Sequence, residues 1–331
     1  MRIRSVVSVV PSQVQSLSAW LADGLLKETD KSEKYTGLTS LRTSTFSTLD
    51  LTVAALQGGP NNDEVVPDAV IFVTQTPAQR VPGNAALFAG AMGWNQSIQC
   101  WDLSHGCAGL VWGLYHAHLL LKEPGCQRVL LVAAETHSRL TDPTDRSTRT
   151  LFGDGATIWW LHQESDSTKA QGAFGLGTLP DLAKALATDN TGCLRMDGLA
   201  VFEFAVREIV PRLKAFMNEQ NLTNDAISTW LFHQAGGTVL QYMQRALGLD
   251  PMRVPSALDG YGNTGSASLG ILLSHCFPGE AHPELQRAML VGFGSGFQWG
   301  FHLADLSQTR IHPVHELHPD GRLVPLAGKG I

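Results

Sequence analysis

The sequence carries little charge of either sign. Its 331 residues include 24 Lys and Arg against 30 Asp and Glu, giving 16% charged residues and a formal net charge of -6. Because phosphate binding needs clustered Lys and Arg, the lack of a basic block excludes nucleic acid as the main partner. A hydrophobic fraction of 44% excludes a disordered chain, since this many apolar side chains can form a core.

Long apolar runs are also missing. No stretch approaches the roughly 20 apolar residues that a membrane span needs. The apolar run after the basic residues 1–4 stops at Pro11, too early for the core of a signal peptide. We therefore expect neither a membrane span nor a targeting segment.

Cysteine is scarce and irregularly spaced. The five cysteines are Cys100, Cys107, Cys126, Cys193 and Cys276. An odd number without paired Cys-x-x-Cys motifs matches neither a disulfide framework nor a metal knuckle. The pattern favours a reducing, cytoplasmic compartment.

Short β-branched runs alternate with helical patterns, which predicts an α/β fold with partly parallel sheets. We expect strands at 5–10, 68–74, 98–103, 128–134, 157–161, 229–232, 288–293 and 297–306. We expect helices at 13–26, 84–92, 107–122, 199–218, 237–247 and 264–275. The pattern restarts after Ala156, and the Gly- and Ser-rich residues 163–197 have little periodicity. At about 150 residues per domain, the length suits two related α/β halves, joined through residues 163–197.

Residues 307–331 are polar and Pro-rich, which predicts a surface tail. This segment contains three histidines at three-residue steps, His312, His315 and His318. Pro313 and Pro319 break any helix that would align the imidazoles, and no Cys or acidic cluster completes a coordination shell. No metal site is predicted.

Cys107 is the first candidate for chemistry. It follows a predicted strand and lies in a turn flanked by Gly106 and Gly109, where a helix begins. Unsatisfied N–H groups and the helix dipole at such a position lower a thiol pKa, and small neighbours leave room for a substrate. From these residues alone, a nucleophile and a buried structural cysteine remain equally acceptable.

His233 and Asn263 are two further candidates. His233 ends the apolar run 229–232, and Asn263 lies in the Gly-rich loop 258–268 before a small-residue helix. Taken singly, they are a hydrogen-bonded core histidine and a turn asparagine. Together with Cys107 they occupy strand-to-helix junctions, where α/β enzymes place their sites.

Two Gly-rich segments do not indicate nucleotide binding. Residues 292–296 lack the glycine spacing and the following βαβ unit of a dinucleotide fingerprint, and residues 152–156 lack the Lys of a P-loop. Both are interpreted as tight turns. The turn at 292–296 can direct backbone N–H groups at a substrate carbonyl.

The motifs in order resemble those of β-ketoacyl-ACP synthase III, in the condensing branch of the thiolase superfamily. They are His105-Gly-Cys-Ala-Gly109, Thr141-Asp-Pro-Thr-Asp-Arg-Ser147, Phe152-Gly-Asp-Gly-Ala156, His233-Gln-Ala235, Gly262-Asn-Thr264 and Gly292-Phe-Gly-Ser-Gly-Phe-Gln-Trp-Gly300. The resemblance covers roughly residues 65–306. It implies a five-layered αβαβα fold of two similar halves, at 1–165 and 166–306, and a homodimer.

The resemblance also implies a decarboxylative Claisen condensation. Cys107 would accept an acyl group from a thioester, and a malonyl- or β-ketoacyl-type thioester would lose CO₂ and attack it. His233 and Asn263 would stabilise the enolate oxygen, and the N–H groups of Cys107 and Ser295 would form the oxyanion hole. Family members often have glycine at position 295. No permanently bound cofactor is implied, and the substrates would be thioesters of acyl carrier protein or coenzyme A.

The first 60 residues depart from the family pattern. Family members that use coenzyme A typically clamp its adenine between a Trp and an Arg around a Thr-Gly-Ile-Arg motif. The corresponding residues 34–42 have no Trp, and Thr39 stands where the first Arg would lie. Arg146 matches the remaining nucleotide-contacting Arg, but one guanidinium cannot replace a stacking clamp. These departures favour a carrier-bound or unusual acyl group in secondary metabolite or specialised lipid biosynthesis.

Alternatives remain at this point. Transfer of the acyl group to an alcohol or amine needs no enolate site, so the intact pair of His233 and Asn263 favours condensation. A papain-like protease needs a different Cys neighbourhood and a secreted context. A non-catalytic subunit of a heteromeric enzyme stays open, as does the acyl chain, because Trp112 and Tyr115 could shorten a pocket or simply pack in the core.

Overall fold

The computed structural model describes residues 1–30, 32–58, 66–94, 97–164 and 172–326. The strands are β1 (Arg2–Pro11), β2 (Val14–Ser16), β3 (Ser40–Arg42), β4 (Ala69–Val73), β5 (Gln99–Leu103), β6 (Arg128–Thr136), β7 (Asp154–His162), β8 (Phe174–Thr178), β9 (Leu186–Thr188), β10 (Leu194–Met196), β11 (Thr229–Phe232), β12 (Ala288–Gly294), β13 (Gln298–Ala304), β14 (Arg310–Ile311), β15 (His315–Leu317) and β16 (Leu323–Pro325). The helices are α1 (Leu17–Ala22), α2 (Ser32–Thr36), α3 (Thr48–Gly58), α4 (Asn84–Ala91), α5 (Gly109–Leu120), α6 (Arg146–Arg149), α7 (Gly198–Glu203), α8 (Val210–Glu219), α9 (Gly237–Leu247) and α10 (Ser268–Cys276).

The first large sheet has the order β16-β15-β1-β7-β6-β4-β5, with β14 also paired to β1. Strand β4, next to the edge strand β5, pairs in parallel with both β5 and β6. All five residues of β4 are buried, as expected for an apolar strand covered by helices on both faces. Strand β7 lies antiparallel between β1 and β6.

The second sheet has the order β11-β12-β13-β8. Strands β11 and β12 are parallel, and β13 runs antiparallel to both β12 and β8. The parallel pair brings the carboxyl ends of β11 and β12 to the same edge of the sheet. His233 follows the first of these ends, and Ser295 follows the second.

Helices α5 and α10 lie between the two sheets, where their apolar residues form one shared core. Both helices contain glycines where a strand approaches closely: a Cβ on Gly113 would lie 2.5 Å from Leu131, and one on Gly270 would lie 2.1 Å from Thr157. Helices α3 and α4 cover the outer face of the first sheet, and α8 and α9 pack in the apolar core outside the second. The layers confirm the predicted αβαβα thiolase-like fold.

Two predicted helices differ in the structure. Residues 13–26 form strand β2 before the short helix α1. The predicted helix 199–218 is interrupted by a π-helical segment, Phe204–Ile209, before α8. Pro211 lies in the first turn of α8 and has no N–H to donate to the preceding turn, which accounts for the widened helix there.

The interpretation of residues 163–197 as a plain connection is wrong in its described part. Strand β8 lies there and pairs with β13. A Cβ on Gly177 would lie 2.1 Å from the ring of Trp299, so this strand contains glycine because an indole lies against it. The missing side chains removed the alternation that normally identifies a strand.

The prediction of a surface tail after residue 306 is also wrong. Strands β14 and β15 pair in parallel with β1, and β16 pairs with β15. Three apolar residues of the segment are buried: Ile311, Val314 and Leu317. The free edge of β1 supplies the hydrogen-bonding partner that a polar, Pro-rich segment lacks by itself. The predicted boundary between the halves, at residues 165 and 166, lies outside the described residues.

Within the described residues, no helix combines the length and apolar character needed to cross a bilayer. Among the same residues, no three His, Cys, Asp or Glu side chains gather as a metal ion would require.

Candidate active site

Cys107 lies in the turn between β5 and α5, and only 5% of its surface is exposed. The backbone N–H groups of Ser295 and of Cys107 itself both act to lower the pKa of its thiol, which places them near the sulfur. Gly294 makes this approach possible, because a Cβ at that position would lie 2.7 Å from the sulfur. The two N–H groups that the resemblance assigns to an oxyanion hole thus lie near the thiol, and that role stays a prediction.

The Cys107 thiol is less acidic than the sequence suggested. Burial, followed by the charge of Glu135, raises the pKa of Cys107 to about 12, although the two N–H hydrogen bonds act in the opposite direction. Helix α5 begins only at Gly109. The expected lowering is wrong because removal of the thiolate from water outweighs the local dipoles. In the resting protein Cys107 is a thiol, and its attack on a thioester must be coupled to loss of the proton.

His233 directly follows β11 and is 1% exposed. Its Nδ1 is 2.7 Å from the hydroxyl oxygen of Ser268, at the start of α10. Burial, with a smaller effect of the nearby His137, lowers the pKa of His233 to about 3. The imidazole is therefore neutral, and its Nε2 is left to face a ligand.

Asn263 is held on three sides. Its Oδ1 accepts a hydrogen bond from the N–H of Gly265 at 3.0 Å, which leaves the amide nitrogen to donate elsewhere. Its backbone N–H donates to Leu151, and its carbonyl accepts from Gly153. These bonds attach the Asn263 loop to residues 151–153, and the interpretation of 152–156 as a tight turn is wrong because β7 begins at Asp154 and Phe152 forms a β-bridge with Asn263.

The structure brings Cys107, His233 and Asn263 into one region between the sheets. Strand β12, which ends at Gly294 beside Cys107, also places the ring of Phe293 edge-on to His233, with centroids 5.6 Å apart. Ser266, three residues after Asn263, packs behind the nucleophile turn: a Cβ on Gly109 would lie 3.5 Å from the Cβ of Ser266.

Arg146 is placed differently. It lies on the short helix α6, its side chain is 65% exposed, and its guanidinium is 2.8 Å from a carboxylate oxygen of Asp30. The N–H of Lys27 and the Arg146 guanidinium hold the pKa of Asp30 below its usual value. The structure thus pairs Arg146 with an exposed acidic side chain rather than with the buried site around Cys107.

Two residues of this region were not found from the sequence. Glu135, in β6, is fully buried, and its carboxylate accepts hydrogen bonds from the loop that contains Gln75. The side chain of Gln75 in turn accepts a hydrogen bond from Ser295 at 2.7 Å. The signal for Glu135 was a carboxylate in the otherwise apolar run 128–136, but its partners are distant in sequence.

Comparisons with known proteins agree with this geometry. The family description "3-Oxoacyl-[acyl-carrier-protein (ACP)] synthase III" matches residues 101–179, and the C-terminal description of the same family matches residues 217–305. The β-ketoacyl-[acyl-carrier-protein] synthase III of Streptococcus suis is 34% identical over 252 residues, 72% of this chain and 77% of the relative.

Solved structures give the same result. A 3-oxoacyl-(acyl-carrier protein) synthase from Burkholderia xenovorans superposes with a TM-score of 0.85 at 26% identity, covering 95% of this chain and 96% of the other. The priming β-ketosynthase of a polyketide biosynthetic pathway superposes with a TM-score of 0.77 at 25% identity, covering 92% and 96%. The chain belongs to the β-ketoacyl-ACP synthase III family of acyl-transferring, condensing enzymes.

Proposed function

We propose that the protein catalyses a decarboxylative Claisen condensation between an acyl group on Cys107 and a malonyl-type thioester, because a β-ketoacyl thioester has no free carboxylate to release as CO₂. The observation that carries this proposal is the combination at one site: a thiol with two N–H donors on its sulfur, next to a neutral histidine and an oriented asparagine amide. The thiol and its N–H donors suit acyl transfer, and the histidine and the asparagine amide suit stabilisation of an enolate.

In the first step, the sulfur of Cys107 attacks the carbonyl carbon of the acyl thioester. The N–H groups of Cys107 and Ser295 stabilise the negative oxygen of the tetrahedral intermediate. The carbon–sulfur bond to the carrier then breaks, and the carrier leaves as a thiol with the proton that Cys107 gave up. Because the pKa of Cys107 is raised, the resting sulfur carries no negative charge. The two N–H groups therefore stabilise the oxyanion that forms during the attack, not a resting thiolate.

In the second step, the carbon–carbon bond to the carboxylate of the second thioester breaks, and CO₂ leaves. The electron pair becomes an enolate, whose oxygen accepts hydrogen bonds from Nε2 of His233 and the amide of Asn263. The enolate carbon attacks the acyl group on Cys107, and the thiol leaves and takes up a proton. Because His233 is neutral down to about pH 3, its Nε2–H can donate a hydrogen bond to the enolate oxygen without a change in the protonation state of the ring.

We infer that the acyl donor is bound to a carrier protein and belongs to a specialised pathway. Residues 34–42 lack the adenine-stacking Trp, and Arg146 is engaged with Asp30. The similarity to a polyketide priming ketosynthase supports this assignment. Coenzyme A thioesters remain the comparison substrate for the experiment.

A homodimer is part of the proposal. Strand β5 ends the first sheet, and four of its residues, Gln99, Cys100, Trp101 and Asp102, are exposed. An unpaired edge strand with an indole that is 48% exposed favours pairing with a second copy. Val81, 80% exposed in the loop before α4, would be covered by the same contact. We also infer a cytoplasmic location, because all five cysteines are free thiols.

Intact-protein mass spectrometry tests the chemistry. The protein is incubated with acyl thioesters of an acyl carrier protein and of coenzyme A, and the rate of adduct formation is measured. We expect an acyl adduct that Cys107→Ala abolishes. Cys276→Ala is the matched control, because burial also raises the pKa of Cys276 to about 12 without the two N–H donors.

Release of CO₂ separates condensation from transfer. We expect CO₂ and a β-ketoacyl product only when a malonyl-type thioester is supplied, and a strong loss of both with His233→Ala. An ester or amide product without CO₂ would identify transfer to an alcohol or amine instead. Preferential acylation by coenzyme A thioesters would overturn the choice of carrier.

A further inference from the structure

A buried carboxylate beside the site has no part in the proposed chemistry. Glu135 is fully buried, and four neighbours donate hydrogen bonds to it. The donors are the hydroxyls of Thr74, Thr76 and Ser266 and the backbone N–H of Gln75. Such a group is costly to bury unless each of its oxygens is satisfied, so its presence needs an explanation.

The hydrogen bond between Glu135 and Gln75 connects the carboxylate to Ser295, whose N–H belongs to the proposed oxyanion hole. The Gln75 N–H is 3.1 Å from Glu135, and the Gln75 side-chain oxygen accepts the hydroxyl of Ser295 at 2.7 Å. This contact crosses directly over Gly106, where a Cβ would lie 2.3 Å from the Ser295 hydroxyl and 2.4 Å from Gln75. Any other residue at position 106 would push the two side chains apart.

The hydrogen bond between Glu135 and Ser266 connects the carboxylate to the turn that holds Asn263, which is proposed to bind the enolate. The Ser266 hydroxyl donates to Glu135 at 2.8 Å. Ser266 belongs to the turn whose Gly265 N–H orients the Asn263 side chain. Glu135 thus holds both the loop behind Ser295 and the turn behind Asn263.

We propose that Glu135 and Gln75 are positioning residues: the Gln75–Ser295 hydrogen bond aligns the Ser295 N–H for acyl transfer, and the Ser266–Glu135 hydrogen bond aligns Asn263 for decarboxylation. This inference rests on the proposed function. The Ser295 loop needs such a constraint, because the glycines at 294 and 296 flank it and Gly296 has φ +72°. A donor in an oxyanion hole acts only within about 2.7–3.1 Å of the developing charge.

The experiment measures two rates separately. Acylation of Cys107 is followed by quenched-flow mass spectrometry at varied thioester concentration. Decarboxylation is followed as CO₂ release in a Cys107→Ala background, which cannot be acylated. We expect Gln75→Ala and Ser295→Ala each to lower the maximal acylation rate about tenfold, with little change in KM, and to leave CO₂ release nearly unchanged.

A double-mutant cycle tests the contact itself. If Gln75 acts through Ser295, the double variant is no slower in acylation than either single variant, and Ser295→Thr, which keeps the hydroxyl, recovers most of the rate. Multiplying effects in the double variant would overturn the inference. Ser307→Ala is the control, because its hydroxyl donates to Asp305 in an exposed turn.

Ser266→Ala should give the opposite pattern, with CO₂ release slowed about tenfold and acylation preserved. Glu135→Gln should slow both steps; if that variant does not fold, the Gln75 and Ser266 variants still decide the matter. Equal slowing of both steps by every variant would show a merely structural role. Failure of the proposed function is distinguishable, since it would leave even the unaltered protein without an adduct on Cys107.

Discussion

Replacing Gly294 by alanine should block the nucleophile without unfolding the protein. The added Cβ would lie 2.5 Å from the Cβ of Cys107 and 2.7 Å from its sulfur. Carbon atoms in contact prefer at least about 3.5 Å, so Cys107 or the β12 end must move by about 1 Å. A shift of that size can cost about 100-fold in a positioned reaction.

The assay is the rate of Cys107 acylation, together with thermal unfolding. We expect acylation to fall about 100-fold and stability to fall by about 1–3 kcal/mol, the usual cost of overpacking. Gly90→Ala is the matched control, since it lies in α4 with nothing within 4 Å of the added Cβ. A folded Gly294→Ala protein acylated at the unaltered rate would refute the placement of Gly294 against the thiol.

Three further predictions concern the hydrogen bond that orients His233, the stability of the protein at acid pH, and the dimer. Ser268→Ala removes the Nδ1 partner of His233, and CO₂ release should fall about tenfold while acylation persists; equal rates of CO₂ release would contradict a role for Ser268 in holding His233 with its Nε2 as the donor. His233 has a folded pKa of about 3, below its unfolded value of 6.5, so the unfolded chain binds the extra proton and stability should drop as pH falls from 6.5 toward 3. Denaturant unfolding across that range should show a shallower drop for His233→Asn, and an unchanged slope would argue against a neutral buried imidazole. Trp101→Lys should convert a dimer to a monomer in light scattering, with Leu119→Lys, on the exposed side of α5, as the control; a Trp101→Lys dimer would exclude pairing through β5.

Cys107 and His233 were predictable as candidates because each follows the end of a strand, and Asn263 because it lies in a Gly-rich loop before a helix. The structure places Cys107 between β5 and α5 and His233 between β11 and α9, whereas no strand lies between α9 and Asn263 in the described residues, and Asn263 forms only an isolated β-bridge with Phe152. Strands β1, β4–β7 and β11–β13 were predictable because their apolar patterns are strong, whereas helix α3 and strands β14–β16 were not predicted. Strand β8 was not predicted, because its glycines leave room for Trp299 and so interrupt the apolar–polar alternation that identifies a strand.

The acid–base properties of the site could not be read from the sequence. The turn before α5 suggested an acidic thiol, but enclosure by the second sheet raises the pKa of Cys107 instead. The partners of Glu135 likewise come from residues 74–76 and from Ser266, about 60 and 131 positions away. A sequence pattern has no information about which distant groups share a buried space.

By itself, the sequence determined the α/β alternation and the candidate residues Cys107, His233 and Asn263, because local periodicity and turn chemistry depend on near neighbours. Only the tertiary structure decided that Cys107 is a protonated thiol under two N–H donors, that the last strands complete the first sheet, and that Gln75 contacts Ser295. Each of these depends on burial or on a hydrogen bond between distant segments, and both arise only when the two sheets close around α5 and α10.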